Sequence, residues 1–309
     1  MTAAPPAARP YAPRRPARTS RVDVRGLALH VTQWGREGAP RLFLLHGWMD
    51  VGASFQFLVD ALEREWHVIA PDLRGFGRSE WQPHGYWFAD YVADCEALIA
   101  HFAPGEPATL VGHSLGANVA LHYAGVRPGR VAALVALDGF GIPSEPADAA
   151  PRKLEAWLDA LARPPAFASY DSYEAVAARL TRNDPRLAPD KAAWLARHWA
   201  AKGTDGRVRL TSDPRHKIPF PHVYRLEEVF AVWRRIRART LWIAAADSHI
   251  PRWLDAHPEG EGATDSLAGV RARMAHVPGA TLVTIPDAGH MLHHDQPEAV
   301  ARAIEQFLR

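Results

Sequence analysis

Apolar runs of strand length recur along this chain from Val22 onward, separated by segments of helical periodicity, and the rhythm breaks once, across residues 139–237. Strands alternating with helices predict an α/β fold, because parallel strands need crossover connections and helices supply them on both faces of the sheet. The runs at 22–24 and 27–31 read as an opening hairpin turning at Gly26. Further strands are expected at 41–46, 67–71, 108–112, 131–137, 240–244 and 280–285, giving a mostly parallel sheet of eight. Helices are expected at 55–65, 88–102 and 115–126, with a closing helix after Pro297.

The interrupted block reads as a helical insertion following the sixth strand, with helices at 154–161, 173–180, 192–201 and 226–236 and no convincing strand. The expected organisation is therefore a core of 21–138 and 238–309, a cap of 139–237, and a disordered Pro/Ala/Arg-rich tail of 1–20. The 309 residues, 48% apolar, are enough to bury a large core. Arg9, Arg14, Arg15 and Arg18 account for the net charge of +2, so no nucleic-acid surface is expected. The first residues lack the apolar run of a secretory signal and no stretch approaches a membrane span, so a cytoplasmic location is expected. The lone Cys95 sits on a helical pattern and reads as a packed thiol.

Between the run at 108–112 and the helix at 115–126 stands Gly112-His113-Ser114-Leu115-Gly116. A serine on a tight strand-to-helix turn is held in a strained conformation that glycine neighbours permit, with its hydroxyl clear of the sheet and helix amides aimed at the reacting carbon. Ser114 is therefore the expected nucleophile, and His113 is expected to be structural. A second amide is expected from His46-Gly47-Trp48, so that the Trp48 and Leu115 N–H groups form the oxyanion hole. His46, ending a buried strand, reads as a turn-stabilising residue. The base is expected at His290, which follows the last strand. His293 and His294 stand beside it, but with no carboxylate or Cys at ligand spacing no metal is expected, nor any other cofactor. For the acid, Asp247 after the strand at 240–244 is favoured and Asp138 after the strand at 131–137 is the alternative.

These segments, with Asp72-Leu73-Arg74-Gly75-Phe76-Gly77-Arg78-Ser79 and Gly289-His290, resemble the α/β-hydrolase superfamily over about residues 22–309. His46-Gly47-Trp48-Met49-Asp50 followed by Ser54-Phe55 is most similar to the serine hydrolase-like group. The resemblance implies Ser114 as nucleophile, His290 as base and Trp48 and Leu115 as oxyanion amides. It also implies that 139–237 caps the site, with Trp157, Trp194, Trp199 and Trp233 as candidate pocket walls. The usual glycine is missing before Asp247, and a gapless match puts Ser248 where the acid belongs, which keeps Asp138 in play. The stretch 250–263 reads as a long loop able to gate the site. The expected activity is hydrolysis of a small or medium carboxylic ester through an acyl-enzyme. The alternatives are cleavage of a C–C bond, lactone or amide by the same residues, or a non-catalytic binding role. The expected partner is a small molecule, and a homodimer is left open.

Overall fold

The structure, a computed structural model, describes residues 10–83, 85–255 and 267–309. Strands β1 (Arg18–Val24) and β2 (Leu27–Trp34) form the expected antiparallel hairpin, and Arg25 and Gly26 turn it with φ of 55° and 80°. Next come β3 (Arg41–Leu45), α1 (Gln56–Ala61), β4 (His67–Pro71), α2 (Phe88–Phe102), β5 (Ala108–His113), α3 (Leu115–Val126) and β6 (Val131–Leu137). The inserted block holds α4 (Ala150–Ala162), α5 (Tyr173–Asn183), α6 (Pro189–Trp199), β7 (Ala200–Lys202), β8 (Val208–Leu210) and α7 (Leu226–Trp233). The core resumes with β9 (Arg239–Ala245), α8 (His249–Asp255), α9 (Ala268–Met274), β10 (Thr281–Ile285), α10 (Leu292–Asp295) and α11 (Pro297–Phe307).

Eight strands form one sheet in the order β1-β2-β4-β3-β5-β6-β9-β10, parallel from β4 to β10. Both faces are dry. On one, Phe43, Leu110, Leu134 and Trp242 pack beneath α2, α3 and α7; on the other, Leu42, Leu44, Val111 and Val135 meet side chains of α1 and α11. That double coverage explains why β3 and β4 are unbroken apolar runs without alternation. The strands of the parallel set end along one edge, so the segments that follow β3, β5, β6, β9 and β10 gather there.

Three expectations need correction. The insertion, expected to hold no strand, contains the hairpin β7–β8, whose strands of three residues are too short to display an alternation. Helix α7 packs on α3 and buries Leu226, Val229 and Trp233, residues at helical spacing, in the sheet's own core. It therefore covers the sheet as a core helix does, although it lies inside the block expected to be cap. The stretch from 250 is helical through Asp255, and the remainder of the expected gating loop lies outside the described residues.

The tail is also ordered where it is described. Tyr11 Oη donates to Asp60 Oδ2 at 2.5 Å, the Arg14 and Arg15 N–H groups donate to the same carboxylate at 3.0 and 2.8 Å, and β1 already begins at Arg18. The Tyr11 ring packs edge-on against Phe57 of α1 and Trp194 of α6, joining core to insertion. A Pro- and Arg-rich composition signals a poor capacity for a core of its own, but here the core lies elsewhere in the chain. Among the described residues no helix is long and apolar enough to cross a membrane.

Candidate active site

Strand β5 runs into α3 with one residue between them, and the turn is affordable only to a particular sequence. Ser114 sits at φ 51°, ψ −112°, a left-handed conformation costing a non-glycine residue about 1–3 kcal/mol. Its neighbours let the chain close that tightly. A Cβ on Gly116 would stand 2.0 Å from the Leu45 carbonyl oxygen, and one on Gly112 would stand 2.3 Å from the Gly116 carbonyl oxygen. The turn thus lifts the Ser114 hydroxyl off the sheet at the end of a rigid strand.

Ser114 Oγ donates to His290 Nε2 at 3.1 Å, and His290 Nδ1 faces Asp138 Oδ2 at 2.7 Å. A carboxylate only accepts, so Nδ1 carries the ring proton and Nε2 presents its lone pair to the serine. His290 is held by its own backbone as well, since its carbonyl bonds His113 Nε2 at 2.8 Å and the Gly289 N–H donates to Asp295 at 2.8 Å. Asp138 is buried, with its side chain fully out of solvent. It also accepts from Ser248 Oγ at 2.5 Å and from the Ala245 N–H at 3.3 Å. Three donors compensate what burial of a carboxylate costs.

The preference for Asp247 is therefore corrected. Its side chain is 47% exposed and pairs with Arg186 at 2.7 Å, away from the imidazole. After Ala245 the chain leaves the sheet edge and turns. Asp247 points outward, and Ser248, three residues beyond the strand end, points in toward Asp138. The Ser248 register noted from the sequence is the one adopted, with a hydroxyl supporting the carboxylate of the neighbouring strand.

The other sequence-derived residues divide clearly. His113 is fully buried and bonded to the His290 carbonyl, and burial holds its pKa well below the usual histidine range. Both His46 nitrogens are occupied, Nδ1 facing the Gly47 carbonyl oxygen at 2.7 Å and Nε2 accepting from the Leu73 N–H at 2.8 Å. Asp72 anchors its loop by accepting from the Gly52 and Arg78 N–H groups at 2.7 and 2.9 Å. Cys95 is buried in the core, and desolvation raises its thiol pKa.

Neither the Trp48 nor the Leu115 N–H has a backbone acceptor among the described residues. Both residues wall a cleft of about 100 Å³ whose other sides are Tyr86, Trp87, Phe88 and Tyr91 of the core and Trp157, Leu161, Ile218 and Phe220 of the insertion. The cleft is lined mostly by rings and aliphatic side chains. Arg215 reaches it already paired with buried Asp213 at 2.9 Å. His216 is stacked between Phe76 and Tyr86 at centroid distances of 3.6 and 3.7 Å, and burial lowers its pKa to about 3, leaving it neutral.

Of the four tryptophans expected in the pocket, Trp157 alone lines this cleft. Trp233 is fully buried against Trp242 and Phe230. Trp194 packs on Phe57, and Trp199 donates through Nε1 to Ser54 at 3.1 Å. Helical spacing showed that these rings had a buried side, which core packing and a pocket satisfy equally. The aromatic set Tyr86, Trp87 and His216 was not anticipated, because it is assembled from segments more than a hundred residues apart.

A second correction concerns His293 and His294. A carboxylate does reach them: ligand atoms of Asp50, His293 and His294 lie within 4.8 Å of one another, and all three residues are buried. Spacing along the chain could not reveal this, since Asp50 follows β3 and the histidines follow β10.

Comparison with known proteins accords with this fold. Residues 40–297 match a family model described as alpha/beta hydrolase fold. The chain is similar to a serine hydrolase-like protein of Danio rerio, 27% identical over 96% of this chain and 90% of that protein. It is also similar to a 3-hydroxybutyrate-oligomer hydrolase of Cupriavidus necator, 28% identical over 89% and 91% of the two chains. Among solved structures, a thioesterase domain from the curacin biosynthetic pathway superposes with a TM-score of 0.80 at 23% identity, covering 94% of this chain and 99% of that one.

Proposed function

The chain belongs to the α/β-hydrolase family, and from that premise we propose that it is a serine hydrolase cleaving uncharged carboxylic esters of small or medium size. The observation that carries this reading is the continuous hydrogen-bond chain from Ser114 through His290 to Asp138. His290 Nε2 takes the serine proton as Oγ attacks the ester carbon, and the oxyanion that forms is held by the Trp48 and Leu115 N–H groups. Collapse expels the alcohol, which receives its proton from His290. Water, deprotonated by the same nitrogen, then attacks the acyl-enzyme and releases the acid and free Ser114. Asp138 keeps the imidazole in the working tautomer and stabilises the imidazolium formed in each half-reaction.

The substrate class rests on the cleft. Its walls are apolar, and among the described residues its one cation, Arg215, is already neutralised by Asp213, so no described side chain there favours an anionic acyl group. Within the block 139–237, the part carrying Trp157, Leu161, Ile218 and Phe220 serves as cap and sets specificity, and α7 serves the core.

Labelling with a fluorophosphonate followed by a series of p-nitrophenyl esters of increasing acyl length tests the reading. The expected result is labelling confined to Ser114 and turnover that falls once the acyl chain outgrows the cleft. Absence of labelling would remove the proposal.

A further inference from the structure

The motif residues Asp50 and Ser54 take no part in the chemistry just described, yet they lie at the centre of a buried polar cluster. Asp50 Oδ1 is fully engaged, accepting from the Val51 N–H at 2.8 Å and from Ser54 Oγ. Its Oδ2 is buried without a hydrogen-bond partner, and Asp50 has no ion pair among the described residues. His294 leaves Nε2 equally unpartnered, and His293 has both nitrogens buried and unpartnered. The side chains are 2%, 0% and 4% exposed for Asp50, His293 and His294. Orphaned polar atoms at this depth cost about 1–3 kcal/mol each, more for a charge, so several converging on one point call for an occupant.

We propose that Asp50, His293 and His294 form a buried site for one divalent transition-metal cation of the zinc class. Two imidazoles and a carboxylate are the donor set that zinc and its neighbours accept, and a hard oxygen-rich site for calcium or magnesium is not present. With ligand atoms no more than 4.8 Å apart, an ion at their centre stands at most about 2.8 Å from each. Drawing each inward by less than about 1 Å brings them to the 2.0–2.2 Å of zinc–nitrogen and zinc–oxygen bonds, within reach of small side-chain rotations. Such an ion ties the chain just beyond Trp48 to the helix just beyond His290, bracing the oxyanion and base segments against each other.

The test uses the full chain stripped with a chelator and titrated with Zn(II) or Co(II). Binding of one equivalent by native mass spectrometry, visible Co(II) bands of low-symmetry coordination and a rise in Tm are expected. In Asp50→Asn and His294→Gln the affinity should fall by at least ~100-fold, with far-UV circular dichroism and a cooperative thermal transition reporting that each variant is folded. Failure of the wild-type chain to bind an equivalent overturns the site and leaves the cluster to buried water. Equal binding by folded variants overturns it as well, by placing the metal elsewhere.

Discussion

Asp138 and Asp247 each follow a strand of the same parallel sheet, on adjacent strands β6 and β9, and their surroundings are opposite. Asp138 is desolvated and accepts from an imidazole, a hydroxyl and an amide, whereas Asp247 shares water with one guanidinium. A carboxylate can stabilise an imidazolium strongly only where water does not screen it, so the two differ in capacity before any substrate arrives. The comparison teaches that position at a strand end admits a residue to the site, and that direction and burial decide what it does there.

Asp138→Asn is the substitution with the largest expected effect on this contrast. It should lower kcat on a p-nitrophenyl ester by about 10⁴, the scale of a histidine held in the wrong tautomer, while labelling slows in parallel. A loss under tenfold would break the comparison. Ser248→Ala removes one hydrogen bond to the charged carboxylate. The expected loss in kcat is about tenfold, equal to about 1.4 kcal/mol, with KM little changed.

A smaller effect is expected where the insertion meets the base segment. Burial raises the Asp184 pKa to about 6, with the charge of Asp295 adding to the rise, and burial raises that of Asp295 as well. A raised folded-state pKa means the fold prefers the protonated form. The stabilisation is thus complete below about pH 4 and is lost as pH rises from there through about 6. Asp184→Asn should flatten Tm against pH across that window and raise Tm at pH 7 by about 1–2 °C, the partial solvation of Asp184 keeping the gain small. An unchanged slope by calorimetry would show that the pair does not share a proton. Asp247→Asn should do least, leaving kcat within about twofold and costing at most about 1 kcal/mol, as loss of an exposed ion pair does. A collapse of kcat in this variant would reverse the assignment.

The sheet and its flanking helices were legible because the 2.0 and 3.6 periodicities are written locally, and α2 and α3 span the residues their patterns predict. Ser114 was legible for a related reason, since its turn demands glycines two residues to each side and the flanking strand and helix are contiguous with it. His290 and the Trp48 turn followed from their places after β10 and β3. What went unread involved contacts between distant segments. Asp60 orders the tail, Asp50 meets the two histidines some 240 residues away, and His216 enters an aromatic stack with Phe76 and Tyr86.

By itself, then, the sequence determined the layered architecture, the nucleophile and the segments able to supply a base and an acid, because these depend on local periodicity and on backbone conformations that few residues adopt. Only the tertiary structure decided which carboxylate faces His290, which tryptophans border the cleft and which buried polar atoms converge. Those outcomes depend on the direction a side chain takes as its loop leaves the sheet edge, and that direction is set by packing against residues remote in the chain.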